Sequence, residues 1–264
     1  MPKSVLVFAP HPDDAEFFAG GTIAKMASDG ARITLVVASD GGCGSFDHDR
    51  PTLIGLRRQE QLRAAAVLGV AETVFLGHPD LGLDTLAAGV LREQFIREIR
   101  RLKPEAMIAE DPFAPYEVHP DHRAVAWAAS DAVHFASLPL MHPEHFEQGL
   151  EPHYVIEKYL YSEHLPSTNK VIDITSTIEH KLAAMAEHKS QLAFLVQDVV
   201  RQAALAGLDL TSRLGEAAGD PAAAMAWALR SQAAQAGARI GVEYGEAFRF
   251  VRFHPIVESL LDGS

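Results

Sequence analysis

Residues 4–17, SVLVFAPHPDDAEF, indicate the fold more directly than any other stretch of the sequence. The run from Ser4 to Ala9 is short and apolar, which is typical of a parallel strand buried on both faces. Polar residues follow at 11–14, and residues from about 16 to 28 then predict a helix, which Asp29 and Gly30 end. A buried strand, a polar turn and a helix in this order predict the first part of a βαβ unit.

The same order repeats along the first half of the chain. Predicted strands lie at residues 4–9, 32–38, 73–76 and 106–109, and predicted helices lie at residues 16–28, 53–68 and 91–102. The apolar residues at 91, 95, 99 and 102 fall on one stripe of the third helix, which ends before Pro104. Strands and helices that alternate in this way form right-handed crossovers. We therefore predict an α/β fold with a Rossmann-like, mostly parallel sheet and helices on both faces.

The pattern changes after about residue 150. Two β-like runs, 154–161 and 170–174, precede a helix whose start at 176–179, Ser-Thr-Ile-Glu, has the form of a capping box. An Ala-rich stretch at 194–238 predicts further helix, and residues 246–253 alternate as in a half-exposed strand. Because no repeat, linker or low-complexity segment separates these parts, we predict one domain over residues 1–264, with small additional β/α elements near its C-terminal end.

Composition restricts the classes of function. The 264 residues include 23 Lys and Arg against 35 Asp and Glu, a net charge of −12 that disfavours nucleic acid as a partner. A single cysteine, Cys43, excludes an internal disulfide and a Cys-rich zinc module. The first apolar run is too short for a signal peptide, and no run approaches the roughly 18 apolar residues of a membrane span. We therefore expect a cytoplasmic protein that binds no membrane.

Two tetrapeptides indicate the chemistry. His11-Pro12-Asp13-Asp14 follows the first predicted strand, and His119-Pro120-Asp121-His122 follows the fourth. Because parallel strands place their carboxyl ends at one edge of a sheet, both tetrapeptides are expected at the same site. Catalytic zinc takes three protein ligands and keeps a fourth position open. His11, one carboxylate of the Asp pair and His122 supply such a set.

The two adjacent aspartates are expected to differ in role. Neighbouring side chains of an extended loop point in different directions, so either Asp13 or Asp14 binds the metal and the other acts on the attacking water. His119 and Pro120 predict a helix start, whose positive end helps to keep His122 neutral and able to bind metal. The alternative is that each tetrapeptide is only a loop and helix cap. Two such motifs at strand ends of one sheet favour a metal site.

The tetrapeptides, with Gly20-Gly21-Thr22, resemble those of the LmbE-like (PIG-L) zinc-dependent N-acetylglucosaminyl deacetylases. Segments 112–117, 171–175, 188–191 and 240–246 are similar to one branch of that family, the archaeal-type diacetylchitobiose deacetylases. The resemblance covers about residues 4–193 and 240–254, whereas the Ala-rich stretch between them departs from the branch.

The resemblance implies a metal centre and its base. It implies one Zn²⁺ per chain, held by His11, Asp14 and His122, although Fe²⁺, Co²⁺ and Mn²⁺ use similar ligands. Asp13 matches the general base of the family.

The resemblance also assigns a proton donor and substrate contacts. His119 matches the residue that stabilises the oxyanion and protonates the leaving amine, with Asp121 beside it as an orienting carboxylate. Arg57 and Asp80 match residues that contact the sugar. His254 matches a histidine that reaches the pocket of a neighbouring subunit in a hexamer, so we expect a homo-oligomer. Taken alone, Arg57 also suits a surface ion pair with Glu60 in the same helix, and Asp80 suits a turn.

The implied function is a metal-dependent amidohydrolase. It would remove the N-acetyl group from a small molecule that contains N-acetylglucosamine, chitobiose-like or related, and release acetate and a free amine. The residues alone indicate an amide or ester hydrolase. Two alternatives stay open: a two-metal phosphoester hydrolase that also uses Asp40, Asp111 and Asp121, and a non-catalytic Rossmann-like module with a structural metal.

Overall fold

The computed structural model describes residues 2–162, 168–210, 220–253 and 255–262. Over these residues, seven strands form one sheet in the order β3-β2-β1-β4-β5-β7-β6. The strands are β1 (Ser4–Ala9), β2 (Arg32–Ser39), β3 (Glu72–His78), β4 (Ala106–Glu110), β5 (Glu157–Tyr161), β6 (Lys170–Asp173) and β7 (Gly245–Val251). Strands β3, β2, β1, β4 and β5 are parallel, whereas β7 pairs antiparallel with both β5 and β6. The mostly parallel sheet predicted from the sequence is confirmed.

Helices cover both faces of this sheet. The helices are α1 (Asp14–Ser28), α2 (Arg50–Leu68), α3 (Val90–Leu102), α4 (Pro120–Phe135), α5 (Ile178–Ala186), α6 (Lys189–Leu205), α7 (Pro221–Ala238) and α8 (Pro255–Asp262). Buried side chains of α1, α2 and α5 pack on one face, and those of α3 and α4 pack on the other. In the parts of the chain that the structure describes, no helix combines the length and the hydropathy needed to cross a membrane.

Strand β1 shows why a continuous apolar run suits this position. Val5 and Val7 belong to the cluster under α1 and α2, whereas Leu6 and Phe8 belong to the cluster under α3 and α4. Successive side chains of a strand point to opposite faces, so both faces of a central strand must be apolar. The predicted stripe of α3 is also confirmed, because residues 91, 95 and 99 are buried in the second cluster.

One prediction for the second half is wrong. The sequence at 176–179 is not a capping box: α5 starts at Ile178, Thr177 is its N-cap, and the Thr177 hydroxyl donates to the carbonyl of Gly21 at 2.8 Å. The further helix predicted for the Ala-rich stretch is confirmed by α6 and α7; between them, α6 ends at Leu205 and Gly207 adopts a positive φ of 74°. Glycine adopts this conformation without a steric cost, which suits the residue that follows a helix end.

The strand order places the site. The chain runs from β1 to β2 and β3 on one side, and then returns to lay β4 on the other side of β1. Ligands of open α/β sheets bind beyond the carboxyl ends of the strands at such a reversal. The loops that follow β1 and β4 meet there, and they carry the two tetrapeptides.

Candidate active site

The two tetrapeptides come together, as the sequence predicts. His11 follows β1, and α1 starts at Asp14; His119 is the N-cap of α4, and His122 lies in its first turn. The imidazole centroids of His11 and His119 are 4.6 Å apart, and each lies 5.2 Å or less from that of His122. Two loops from distant parts of the sequence thus form one histidine cluster.

Asp14 lies between two of these histidines. Its Oδ2 atom is 3.2 Å from Nδ1 of His11, and its Oδ1 atom is 3.5 Å from Nε2 of His122. His11 and Asp14 are buried, and His122 is nearly so. Two imidazoles and one carboxylate that converge in this way form a donor set suited to zinc.

Each of these two histidines directs its second ring nitrogen to another carboxylate. Nε2 of His11 lies 3.2 Å from Asp121 and 3.3 Å from Asp80, and Nδ1 of His122 lies 3.0 Å from Glu110. Histidines that bind metals commonly have such an outer carboxylate, because it fixes the ring orientation and raises the basicity of the binding nitrogen. The predicted set therefore fits a divalent cation. His119 also places a ring nitrogen within 4.8 Å of nitrogens of His11 and His122, so it lies beside the same position.

The carboxylates control the protonation of these ligands. Burial lowers the pKa of His122, but Asp14 and Glu110 outweigh burial and raise the pKa to about 9. For Asp14, burial raises the pKa, but His122 and His11 outweigh it and hold the pKa well below its usual range. The prediction that the helix start keeps His122 neutral is therefore wrong for the protein chain alone. A proton and a metal cation compete for Nε2 of His122, the ring nitrogen that faces Asp14.

Asp13 differs from its neighbour in conformation and environment. It has a φ of 112°, which residues other than glycine rarely adopt, and its amide donates to Oε1 of Gln61 at 3.0 Å. Gln61 in turn donates from Nε2 to Glu16 at 2.6 Å. Burial raises the pKa of Asp13 to about 6, although Arg57, whose Nη2 lies 3.1 Å from Oδ2, opposes that rise. This pKa suits a base that works near neutral pH.

His119 and Asp121 lie at the start of α4. Nδ1 of His119 accepts a hydrogen bond from the Asp121 amide at 3.3 Å, and burial, followed by His11 and His122, lowers the pKa of His119. The Asp121 carboxylate accepts the amides of Leu81 and Leu83 at 2.8 and 3.0 Å. The same carboxylate also contacts Nε2 of His11 and therefore orients the His11 ring. The prediction instead places Asp121 as the residue that orients His119.

Two predicted substrate contacts lie at the same cavity. Arg57 is buried and donates to the carbonyls of Pro12 and Gly41 at 2.6 and 3.1 Å. Its alternative role as the partner of Glu60 is wrong, since Glu60 accepts from both the amide and the hydroxyl of Ser190. Asp80 is also buried. The role of Arg57 and Asp80 in substrate binding stays a prediction, and His254 lies outside the described residues.

A cavity of about 440 Å³ opens above this cluster. Charged and histidine side chains line part of it: His11, Asp13, Asp14, Arg57, Asp80, His119 and His122. Large apolar side chains line another part, and we call Phe17, Phe18, Met185, Phe194 and Leu195 the apolar wall. The remaining lining residues are Cys43, Gly44, Leu81 and Gln191. The volume falls within the range of roughly 300–1,000 Å³ that is usual for small-molecule sites.

Several residues of the site were missed by sequence reasoning. Glu110 could have been found, because it is the last residue of β4 and thus lies at the same edge of the sheet as the other polar site residues. Gln61 could have been suspected, because it lies one helical turn after Arg57 on the same face of α2. Phe194 and Leu195 carry no such signal, because only the packing of α6 brings them to the cavity.

The carboxylates of the two-metal alternative have other partners. Asp111 binds Arg249 through two contacts of 2.5 and 2.8 Å. Asp40 pairs with Arg50 at 3.2 Å and accepts the amide of Asp80 at 3.1 Å. A second metal would need free carboxylates near the first. Asp40 and Asp111 are therefore committed to other contacts, whereas Asp121 lies with His11 and Asp80 in a second group of ligand atoms that could hold an ion. One metal ion per chain stays a prediction.

Several known proteins are similar to this chain in sequence and in fold. Residues 6–133 match the profile of PIG-L, described as GlcNAc-PI de-N-acetylase. The chain is 35% identical over 191 residues to diacetylchitobiose deacetylase of Thermococcus kodakarensis. The aligned region covers 72% of this chain and 70% of that protein. The chain belongs to the PIG-L family. The resemblance found in the two tetrapeptides is thereby confirmed.

Two further comparisons extend the family match. The chain is 28% identical over 203 residues to "probable N-acetyl-alpha-D-glucosaminyl L-malate deacetylase 2" of Bacillus cereus, covering 75% of this chain and 88% of that protein. The crystallised N,N'-diacetylchitobiose deacetylase of Pyrococcus horikoshii, complexed with its inhibitor MPG, superposes with a TM-score of 0.78 at 31% identity. That superposition covers 95% of this chain and 84% of the other. The family's α/β fold therefore extends over nearly the whole chain.

Proposed function

We propose that this protein is a metal-dependent hydrolase that removes the N-acetyl group from a small molecule containing N-acetylglucosamine. Acetate and a free amine are the products. The observation that carries the proposal is the shared cavity of the two tetrapeptides, in which Asp13 and His119 flank the His11, Asp14 and His122 donor set. The names of the related deacetylases specify amino-sugar substrates, which supports the same reaction class for this protein.

The metal is proposed to be Zn²⁺, one per chain, held by His11, Asp14 and His122. A bound divalent ion of this kind polarises a carbonyl group and lowers the pKa of water towards about 7. Fe²⁺, Co²⁺ and Mn²⁺ accept similar ligands, so metal analysis has to identify the native ion. Asp121 and Glu110 orient the rings of His11 and His122 through their carboxylates.

Asp13 and His119 carry the protons of the reaction. Asp13 accepts a proton from the attacking water, whose oxygen forms a bond to the acetamide carbon. His119 donates a hydrogen bond to the oxyanion of the tetrahedral intermediate. It then donates a proton to the amine nitrogen while the carbon–nitrogen bond breaks, and acetic acid and the amine leave. The proton that Asp13 took from the water replaces the one that His119 gave, so both residues return to their starting state. Water is thus added across the amide, and no other reactant is needed.

The rest of the proposal concerns the substrate and the assembly. Arg57 and Asp80 line the cavity and are proposed to hold sugar hydroxyls. His254 is proposed to reach the pocket of a neighbouring subunit in a homo-oligomer, with a hexamer as the expected size. A cytoplasmic location stays a prediction from cysteine usage.

Acetate release tests the proposal. The purified protein is incubated with a panel of N-acetylglucosaminides, and acetate and metal content are measured together. We expect acetate release that requires one metal ion per chain and is lost in Asp13→Asn. Two metals per chain with turnover of a phosphoester would support the phosphoester hydrolase instead. A stable metal content with no turnover of any substrate in the panel would indicate the non-catalytic module.

A further inference from the structure

Two chemically different groups of residues line the candidate cavity. The proposed catalytic groups form one, and the apolar wall of Phe17, Phe18, Met185, Phe194 and Leu195 forms the other. These residues come from three separate helices, α1, α5 and α6. The mechanism described above uses none of them, so the wall needs a separate explanation.

Contacts behind the cavity hold the wall in place. Phe18 stacks on Tyr161 with ring centroids 4.7 Å apart, and Phe17 packs against the buried cluster that contains Met185. Phe194 lies 5.1 Å from Phe46, measured between ring centroids. The wall is therefore built into the packing of the helices.

The loop after β2 closes on the same wall. A Cβ atom added at Gly44 would lie 3.5 Å from Cδ1 of Phe194 and 3.2 Å from Oε1 of Gln191. Gln197 of α6 also donates to Asp47 of this loop at 2.6 Å. The loop after β2 is therefore in contact with α6, the helix that supplies Phe194 and Leu195 to the wall.

We propose that the apolar wall binds an apolar or aromatic group on the anomeric side of the amino sugar, so that the substrate is an N-acetylglucosaminide with a hydrophobic aglycone. This inference rests on the proposed function. The acetamide must lie beside Asp13 and His119, so the remainder of the substrate extends across the wall. A second sugar could lay only its C–H face on this wall, and any hydroxyl group that also met phenylalanine or leucine would lose hydrogen bonds to water. An alkyl or aryl group gains free energy on leaving water at the same place.

Three substrates test the inference: the phenyl and methyl β-glycosides of N-acetylglucosamine, and diacetylchitobiose. We expect kcat/KM for the phenyl glycoside to exceed that for the methyl glycoside by about tenfold or more, mainly through KM. We also expect the phenyl glycoside to be preferred to diacetylchitobiose. Equal values for the two monosaccharide glycosides, or a preference for the disaccharide, would overturn the inference and leave the deacetylase function standing.

A matched pair of variants assigns the preference to the wall. Leu195→Asn introduces a polar group of similar size into the wall and is expected to reduce the phenyl-to-methyl ratio about tenfold. Leu205→Asn makes the same change on the same helix at a side chain that is 91% exposed, and it should leave the ratio unchanged. An unchanged ratio in Leu195→Asn would contradict the assignment.

A binding measurement separates this inference from the reaction itself. The phenyl and methyl β-glycosides of glucosamine are titrated into the metal-loaded protein by calorimetry. The phenyl compound should bind about tenfold more tightly to the wild type, and Leu195→Asn should remove most of that difference. If none of the acetylated substrates is hydrolysed, the proposed function fails, while these affinities still decide whether the wall selects an apolar group.

Discussion

Asp13 and Asp14 are neighbours in the sequence, yet their carboxyl groups meet opposite environments. Two histidines hold the pKa of Asp14 well below its usual range, against the effect of burial. Burial raises the pKa of Asp13 to about 6, although Arg57 opposes it. The sequence could predict that one aspartate binds metal and the other acts as a base. The family resemblance assigns the metal to Asp14 and the base to Asp13, and the contacts with His122 and Arg57 supply a physical reason for that assignment.

We expect Asp13→Asn to keep the metal and lose turnover. Asparagine is nearly isosteric and leaves His11, Asp14 and His122 in place, whereas a general base contributes about 10²–10⁴-fold to the rate. Metal analysis and kcat are measured on the same sample. Asp14→Asn is the matched control, because the same change next to it should reduce the metal content. Near-normal kcat in Asp13→Asn at full metal occupancy would contradict the assignment.

Glu110→Gln should weaken metal binding without removing a ligand. Its carboxylate lies 3.0 Å from Nδ1 of His122, and loss of an outer carboxylate typically reduces metal affinity about 10–100-fold. A competition titration with a chelator measures this shift. Glu147→Gln makes the same change at an exposed residue that does not line the cavity, and it should leave the affinity unchanged. The hypothesis would be wrong if Glu110→Gln matched the wild type in this titration.

His119→Ala is expected to lower kcat and kcat/KM together and to leave metal content unchanged. Its hydrogen bond to the oxyanion strengthens only as charge develops in the transition state, so substrate binding should change little. Steady-state kinetics with metal analysis provide the measurement. A rise in KM alone would instead place His119 in ground-state binding, and loss of metal would make it a ligand.

Among the helices and strands, those that could be predicted are the ones determined by a local sequence pattern. Strand β1 was predicted correctly because a central strand needs apolar residues on both faces, and α4 because Pro120 suits the first helical turn. The start of α5 was predicted wrongly because tertiary contacts prevail there. The Thr177 hydroxyl bonds Gly21 of α1, and Glu179 pairs with Arg230 of α7 at 2.7 Å. No sequence pattern specifies such partners.

Glu246 connects three elements that support the site. This residue of β7 accepts from the amides of Gly21 and Thr22 in α1 at 3.0 and 2.7 Å, and it forms a buried ion pair with Lys181 of α5 at 2.6 Å. The Gly20-Gly21-Thr22 motif therefore has a structural role. It lets β7 and α5 dock against the helix that begins at Asp14.

Glu246→Ala should reduce the free energy of unfolding by about 3–5 kcal/mol, because it leaves the Lys181 ammonium buried without its partner. Urea denaturation followed by circular dichroism measures the change. Glu179→Ala breaks an exposed ion pair on the same helix as Lys181, where the Glu179 side chain is 71% exposed, and it should cost less than about 1 kcal/mol. Similar losses in the two variants would show that the buried pair has no special weight.

For the whole molecule, strand order explains why the site could be located before its partners were known. Strands β2 and β3 are added on one side of β1 and strand β4 on the other, and the parallel strands bring their carboxyl ends to one edge of the sheet. This rule predicts that His11 and His122 approach each other. It does not predict the apolar wall, since α6 reaches the cavity through contacts with the loop after β2, which the strand order leaves undetermined.

The last prediction concerns assembly. The resemblance at residues 240–254 implies that His254 completes the pocket of a neighbouring subunit, so each active site would draw residues from two chains. If so, His254→Ala and Asp13→Asn are both impaired when each variant is assayed alone. Mixed oligomers, formed by dissociating and reassembling the two variants together, would contain some pockets with an intact Asp13 from one chain and an intact His254 from the other. Activity should then partly return.

The control is a mixture of Asp13→Asn with Asp14→Asn. Each chain supplies Asp13 and Asp14 to a pocket together, so every pocket of this mixture lacks one of the two aspartates. No activity should return. Differently tagged chains, purified over both tags, verify that the oligomers are mixed. If the verified His254→Ala and Asp13→Asn mixture stays as inactive as this control, His254 does not act on a neighbouring subunit. Recovery in the first mixture and not in the second can arise only if the two residues serve one pocket from different chains.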